Sequence, residues 1–265
     1  MFIGDIFGKP GRMAVYKDLP LLKDNYSPDI VVANAENIAG GFGITDNLCK
    51  KLFRYGVDII TTGNHVWDRP DTADYLEQEK RVLRPINYPP GTPGSSSVVF
   101  ETDSGVKVAI VNAQGRIFMR AIDDPFRSVL AEVERLREIT KIIVVDFHAE
   151  ATSEKMGMAS FLDGKVSAVL GTHTHVQTAD ERILAGGTAA ITDAGMTGPH
   201  DSIIGVRSEL ALQLMLTGRN VRFSPAEGDV RLQGCFVDVD EDSGKAMSIE
   251  RIDIEDDGFT ESGKD

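Results

Sequence analysis

Short apolar runs rich in Val and Ile recur along the chain, at residues 2–3, 30–32, 57–61, 108–111, 142–145 and 166–170. Runs of this length and β-branched content are those of buried strands. Between them, residues 12–25, 45–55, 125–139 and 153–162 carry apolar positions at helical spacing, the third stretch being the most regular. Alternation of buried strands with amphipathic helices predicts an α/β architecture whose strands are covered on both faces.

The Pro- and Gly-rich stretch at 87–94, followed by three serines, cannot continue a helix or a central strand and reads as a loop. After it, 98–102 and 106–112 flank Asp103-Ser104-Gly105, which suits the tight connection of a hairpin. The second half adds a strand at 189–192, a helix at 208–216, and alternating segments at 230–239 and 247–254 that predict an antiparallel pair. No composition break divides residues 1–254, which are expected to form a single domain. The polar, glycine-containing residues 255–265 are expected to be a disordered tail. Only four residues precede Asp5, so the first strand is expected either to be short or to have its true start upstream.

Composition narrows the function classes. The 265 residues carry 28 Lys and Arg against 41 Asp and Glu, a net charge of −13. That balance disfavours a protein that holds duplex nucleic acid by neutralising phosphates. The two cysteines, Cys49 and Cys235, are too few and too far apart for a disulfide framework or a four-cysteine zinc site, which suggests a reducing compartment. No apolar run approaches the ~18 residues needed to span a bilayer, and the N-terminus lacks the pattern of a signal peptide. A soluble, cytoplasmic protein is expected.

The residues that follow the predicted strands change the picture. Gly4-Asp5, Glu36-Asn37, Gly63-Asn64-His65, Phe147-His148 and Gly171-Thr172-His173-Thr174-His175 each set polar, metal-competent groups at a strand end. In open α/β sheets ligands bind beyond the carboxyl ends of strands, so groups this scattered in sequence can converge in space. Taken singly, each has a structural reading: Asp5 as a turn residue, His65 in a capped turn beside a core Trp67, His148 as a core histidine next to an apolar run. Two imidazoles at i and i+2 reach one metal cluster only if the chain bends between them, and Gly171 makes such a bend plausible. Together the set supplies enough nitrogen and oxygen ligands for two borderline cations sharing a carboxylate.

The segments 4–8 (Gly-Asp-Ile-Phe-Gly), 35–37 (Ala-Glu-Asn), 63–68 (Gly-Asn-His-Val-Trp-Asp), 146–155, 171–180 and 192–202 resemble, in order, those of calcineurin-like metallophosphoesterases. More narrowly they resemble the bacterial YmdB family of cyclic-nucleotide phosphodiesterases, from residue 2 to about 254. The resemblance implies a sandwich of two β-sheets flanked by helices, with a dinuclear site at the strand ends. It further implies that Asp5, Asn37 and His175 bind one metal ion, that Glu36 bridges, that Asn64, His148 and His173 bind the other, and that His65 protonates the leaving oxygen. The wider superfamily usually has Asp-x-His where this chain has Asp5-Ile6-Phe7, and Asp where it has Glu36; both departures match the narrower family. Iron and manganese are the metals implied.

The expected activity is hydrolysis of a small cyclic nucleotide, 2',3'-cyclic and also 3',5'-cyclic, by hydroxide generated at the metals. A phosphomonoesterase is the rival within the same chemistry. A protein that uses metal and nucleotide occupancy to regulate a partner is the rival from another class. His200, in a turn-rich Gly-Pro-His-Asp segment, is expected to order its loop, and a homo-oligomer is expected.

Overall fold

The first apolar run is short because its strand breaks at Gly4. In the computed structural model, which describes residues 1–255, β1 (Phe2–Ile3) lies between one parallel and one antiparallel neighbour, while β2 (Asp5–Ile6) turns away to a different strand. α1 (Gly8–Tyr26) leads to β3 (Val32–Asn34), and α2 (Asp46–Tyr55) to β4 (Ile59–Thr61). The Thr45 hydroxyl accepts the Leu48 N–H to start α2, and Gly56, at a φ of 106°, closes it in a conformation that costs glycine little.

After α3 (Thr72–Gln78) the predicted hairpin forms from β5 (Ser97–Glu101) and β6 (Lys107–Gln114). In α4 (Pro125–Arg137), Asp124 accepts the Phe126 and Arg127 N–H groups, and Val129, Val133 and Leu136 form one buried stripe. Burying side chains of this kind contributes ~1.5–3 kcal/mol each. There follow β7 (Ile142–His148), α5 (Thr152–Phe161), β8 (Ala168–Thr172), β9 (Arg182–Ile183), β10 (Ala189–Ile191), β11 (Met196–Pro199), α6 (Ser208–Thr217), β12 (Val230–Val239) and β13 (Ala246–Glu255).

Two sheets result, one ordered β2-β11-β12-β1-β3-β4 with β13 on the free side of β12, the other β5-β6-β7-β8-β10-β9. The strands β1, β3 and β4 run parallel, as do β6, β7, β8 and β10, so their carboxyl ends are aligned within each sheet. Period-two alternation sorts their side chains into layers. Phe2, Val32 and Ile59 face Ile110, Ile142, Leu170 and Ala189 in a core between the sheets. Their neighbours Ile3, Ala33 and Ile60 pack outward against Leu19, Leu22 and Leu52 of α1 and α2. On the other side Val111, Ile143 and Val145 pack against Val129, Val133 and Met158 of α4 and α5. The architecture is the expected two-sheet sandwich flanked by helices.

The strand expected at 166–170 instead begins at Ala168 and runs to Thr172, because its ladder with β7 extends from Val144↔Ala168 to His148↔Thr172. The predicted antiparallel pair forms as β12 and β13, the latter reaching Glu255. The rest of the expected tail lies outside the described residues. The pairing of β2 with β11 has no counterpart in the sequence pattern; it matches Met196 with Asp5 and Thr197 with Ile6.

Candidate metal centre

His148, the last residue of β7, is fully buried, and its Nε2 lies 3.0 Å from Glu36 Oε1, 3.0 Å from His173 Nδ1 and 3.1 Å from Asn64 Oδ1. These partners come from the loops after β3, β8 and β4, so four strand ends meet at one nitrogen. One proton on Nε2 cannot serve three ligand-type atoms at once, whereas a cation among them can. Glu36, His148 and His173 each offer a ligand atom within 4.8 Å of the others.

The opposite side of the ring explains which nitrogen faces the cluster. His148 Nδ1 donates to Thr172 Oγ1 at 2.9 Å, and that hydroxyl donates to Asp146 Oδ1 at 2.7 Å. The buried Asp146 also accepts from Asn34 Nδ2 at 3.0 Å and from the Thr61 hydroxyl. In the neutral ring this network puts the lone pair on Nε2, the arrangement that hydrogen-bond partners behind the ring impose on metal-binding imidazoles.

His173 and His175 reach the site through a bend that departs from glycine-type assignments. Both sit at positive φ, 102° and 63°, while Gly171 stays in the strand ladder, where a Cβ would lie 1.8 Å from the Thr192 carbonyl oxygen. The bend is therefore carried by the histidines themselves, a strained conformation that persists only where surroundings dictate it. Asp193 holds it: its Oδ2 accepts from the Thr174 N–H at 3.0 Å and the Thr174 hydroxyl at 2.7 Å, and pairs with the buried Lys155 Nζ at 2.7 Å. Asp5 Oδ2 accepts the His173 N–H at 3.0 Å.

Each histidine has its outer nitrogen engaged. His175 Nδ1 donates to the Ile204 carbonyl at 2.9 Å, which leaves Nε2 toward Asp5 Oδ1 at 3.9 Å. His173 Nε2 lies 3.1 Å from Glu150 Oε2, which leaves Nδ1 toward His148.

The charges are mutually unresolved in the bare protein. Burial drives the Asp5 carboxyl well above the usual carboxylate range despite His148 nearby. Burial would raise Glu36 as well, but the adjacent His148 and His65 hold it down at about 2. His148, though burial opposes its charge, is pushed up to about 9 by Glu36, Asp5 and Asp146. Burial and the neighbouring His148 lower His173 to about 3, and burial lowers His175.

Three observations fit bound cations. Asp5 Oδ1 and Asn37 Oδ1 are buried oxygens without a hydrogen-bond partner among the described residues, although Asn37 Nδ2 donates to the Gly41 carbonyl at 2.8 Å. Such orphans are costly unless something else satisfies them. Gly63 lies so close that a Cβ there would meet His148 Cδ2 at 2.1 Å and Glu36 Oε2 at 2.5 Å, so the backbone itself walls the cluster. The donor set of imidazole, carboxylate and amide, without thiolate, suits borderline or harder cations.

His65 stands at the rim, partly exposed, with Nδ1 2.7 Å from Asp68 Oδ2 and its ring edge-on to Phe42 at 5.0 Å. Its backbone N–H donates to Glu36 Oε2 at 3.0 Å. Asp5, Glu36, Asn64, His148, His173 and His175 are thus linked through contacts; Asn37 sits beside Glu36 with its oxygen free; His65 flanks them. His200 lies apart, its Nε2 3.1 Å from the Met196 carbonyl, in keeping with loop ordering. Sequence reasoning missed Asp146, Thr172 and the Asp193–Lys155 pair. A cavity of about 260 Å³ between the sheets, lined by Phe2, Val32, Ile110 and Leu170 among others, contains none of these polar groups.

Residues 1–252 match the family described as YmdB-like protein. A 2',3'-cyclic-nucleotide 2'-phosphodiesterase of Bacillus subtilis (strain 168) is 45% identical over 257 residues, covering 97% of each chain. Among solved structures, a hypothetical protein from Thermus thermophilus superposes with a TM-score of 0.90 at 43% identity, covering 96% of this chain and 98% of its own. A novel phosphatase from Mycoplasma pneumoniae does so with a TM-score of 0.90 at 35% identity, covering 96% and 92%.

Proposed function

The chain belongs to the YmdB-like family, and from that premise we propose that it is a metal-dependent phosphodiesterase that opens 2',3'-cyclic nucleotides. The observation that carries this reading is the convergence of Glu36, Asn64 and His173 on His148 Nε2, each at 3.0 or 3.1 Å. Two metal ions, iron or manganese, would be held: one by Asp5, Asn37 and His175, the other by Asn64, His148 and His173, with Glu36 shared. When bound, such ions polarise phosphoryl oxygens and lower the pKa of water.

The protein's own groups do the rest. The Thr172–Asp146 network keeps the His148 lone pair aimed inward, and Asp193 holds the bend that carries His173 and His175. His65 is the general acid. With Nδ1 held 2.7 Å from Asp68 Oδ2, the ring is oriented so that Nε2 is the nitrogen that hands on the proton. Water adds to phosphorus and gives up one proton to solvent, the bond from phosphorus to the 2' oxygen breaks, the His65 proton goes to that oxygen, a 3'-monophosphate leaves, and His65 takes a proton back from solvent. General-acid catalysis of this kind contributes ~10²–10⁴ in rate.

The net charge of −13 favours a compact substrate over a long polyanion. The 3',5'-cyclic nucleotides are a second substrate class for the same groups. A phosphomonoesterase reading is favoured by the Mycoplasma relative, which is described as a phosphatase. We read residues 1–254 as one catalytic domain in the cytoplasm, where the buried, unpaired Cys49 and Cys235 stay reduced. Among the described residues no helix is long and apolar enough to cross a membrane.

The test compares turnover of adenosine 2',3'-cyclic phosphate, adenosine 3',5'-cyclic phosphate and adenosine 3'-monophosphate by the metal-loaded chain and its His65→Ala variant. The reading expects the first to be hydrolysed best and the variant to lose ~10²–10⁴ in kcat on it. Release of phosphate from the monoester alone would move the assignment to a phosphomonoesterase.

A further inference from the structure

Phe118 is 89% exposed, and its φ of 62° lies in the left-handed region. A bulky side chain pays for both features, and such conformations persist where the surroundings impose them. Here the surroundings are the metal cluster's own scaffold. The Gly115 N–H donates to the His148 carbonyl at 2.9 Å. The buried Glu154 carboxylate accepts the Arg116 N–H at 3.0 and 3.1 Å and the Ile117 N–H at 3.2 Å. The Met119 N–H closes a turn on the Arg116 carbonyl at 3.2 Å, and the Asp123 N–H is tied to the Asn87 carbonyl at 3.0 Å.

The loop is therefore pinned at both ends and in the middle, and two of its other large apolar side chains are used inward, while Ile117 is 43% exposed. Met119 packs against the α4–α5 core and Ile122 against the α1–α2 core. Phe118 is the most exposed of them, between the exposed Arg116 and Arg120. Three residues of chain span at most ~11 Å, so the Phe118 backbone lies within that distance of Gly115, whose N–H is bonded to the backbone carbonyl of the residue bearing the central imidazole. A nucleoside cyclic phosphate carries its base several ångströms beyond its phosphate, so a ring set back from the metal ligands would meet the base rather than the phosphate. The two phenylalanines seen against the site's histidines are already engaged: Phe7 edge-on to His175 at 5.6 Å, and Phe42 edge-on to His65 and stacked with Phe223 at 6.4 Å.

Building on the phosphodiesterase reading, we propose that Phe118 is the stacking platform for the nucleobase of the substrate. The two arginines beside it add attraction for the anion without specifying the base. Stacking on an aromatic ring is tolerant of base identity, so this platform would select for a nucleoside over a bare cyclic phosphodiester rather than for one base.

The test is steady-state kinetics of the metal-loaded chain and its Phe118→Ala and Phe118→Trp variants on adenosine 2',3'-cyclic phosphate and on glycerol 1,2-cyclic phosphate, which has the five-membered diester but no base. Phe118→Ala is expected to raise KM for the nucleotide about 5- to 150-fold with kcat little changed, to leave the glycerol ester unaffected, and to be rescued by Trp. Equal effects on both esters, or none on the nucleotide, would overturn the proposal. So would a change in sedimentation with unchanged KM, because the ring would then serve contact with a second copy. Calorimetry with adenosine 3'-monophosphate separates this proposal from the reading beneath it. If the parent chain hydrolyses neither ester, a weaker affinity in Phe118→Ala still supports the platform, and an unchanged affinity overturns it.

Discussion

Replacing Gly63 by alanine adds one carbon directly against the ligand cluster. Gly63 has no positive φ, so alanine is conformationally allowed there and the effect is steric. The new Cβ would lie 2.1 Å from His148 Cδ2, 2.4 Å from Nε2 and 2.5 Å from Glu36 Oε2; an ordinary contact begins near 3.4 Å. Either the imidazole moves by roughly 1.3 Å or the β4 end backs away. The ring is held by Thr172 at 2.9 Å, and the chain beside Gly63 is held by the Thr62 N–H on Asn112 Oδ1 at 3.1 Å and the Thr62 hydroxyl on the Leu83 carbonyl at 2.8 Å. Neither yields freely, so the displacement is shared between a ligand and its support. Overpacking of this order costs ~1–3 kcal/mol, or about 2–12 °C in Tm for a chain of this size. Misplacing a catalytic group by about 1 Å costs on the order of 10² in rate. The assay is kcat/KM on adenosine 2',3'-cyclic phosphate with metal content and Tm on the same preparation. Gly157→Ala in α5 is the control, because its Cβ would meet nothing nearer than Phe126 at 3.6 Å and a helix gains ~0.5–1 kcal/mol from the change. Full turnover and full metal content in Gly63→Ala would refute the claim that His148 and Glu36 form the reactive cluster.

Thr172→Val removes the acceptor of His148 Nδ1 and one donor to Asp146, so metal affinity is expected to fall ~10–100-fold, read by competition with a chelating dye; unchanged affinity would remove Thr172 from the support of the site. Lys155→Met leaves the buried Asp193 without its cation, at a cost of ~3–5 kcal/mol and a Tm drop on the order of 10 °C by calorimetry. Burial pushes the Cys49 and Cys235 thiols up to about 12, so both stay protonated at pH 8, well below that value. Since the thiolate is the reactive form, neither should react with a thiol dye until denaturant is added, when both do; rapid labelling of the folded chain would contradict their burial.

Much of the sandwich was legible because its strands are uniformly apolar and its helices carry one buried stripe, as in the Val129, Val133 and Leu136 face of α4. What escaped were elements defined by partners rather than by composition. β2 is two residues long and exists through its ladder to β11, whose Thr-Gly-Pro ending does not read as a strand. The cluster was legible because each candidate follows an apolar run, and parallel strands bring those ends together. The support beneath it was not. Thr172 looks like any strand threonine, and only the fold sets it between His148 and Asp146. Asp146 did carry a signal, a carboxylate inside Ile-Ile-Val-Val-Asp-Phe-His, since a buried charge needs partners. The bend at His173 and His175 is legible as a bend, but it does not belong to Gly171, whose place is taken by strand packing against Thr192.

The central claim is tested most directly by measuring metal content and hydrolysis of adenosine 2',3'-cyclic phosphate on one purified sample, with and without added Mn²⁺, beside an Asp5→Asn variant. The account predicts about two metal ions per chain and turnover that is lost in the variant. A chain that binds metal yet turns over neither cyclic nucleotide nor monoester would contradict it and leave a protein whose site senses a ligand instead of cleaving one.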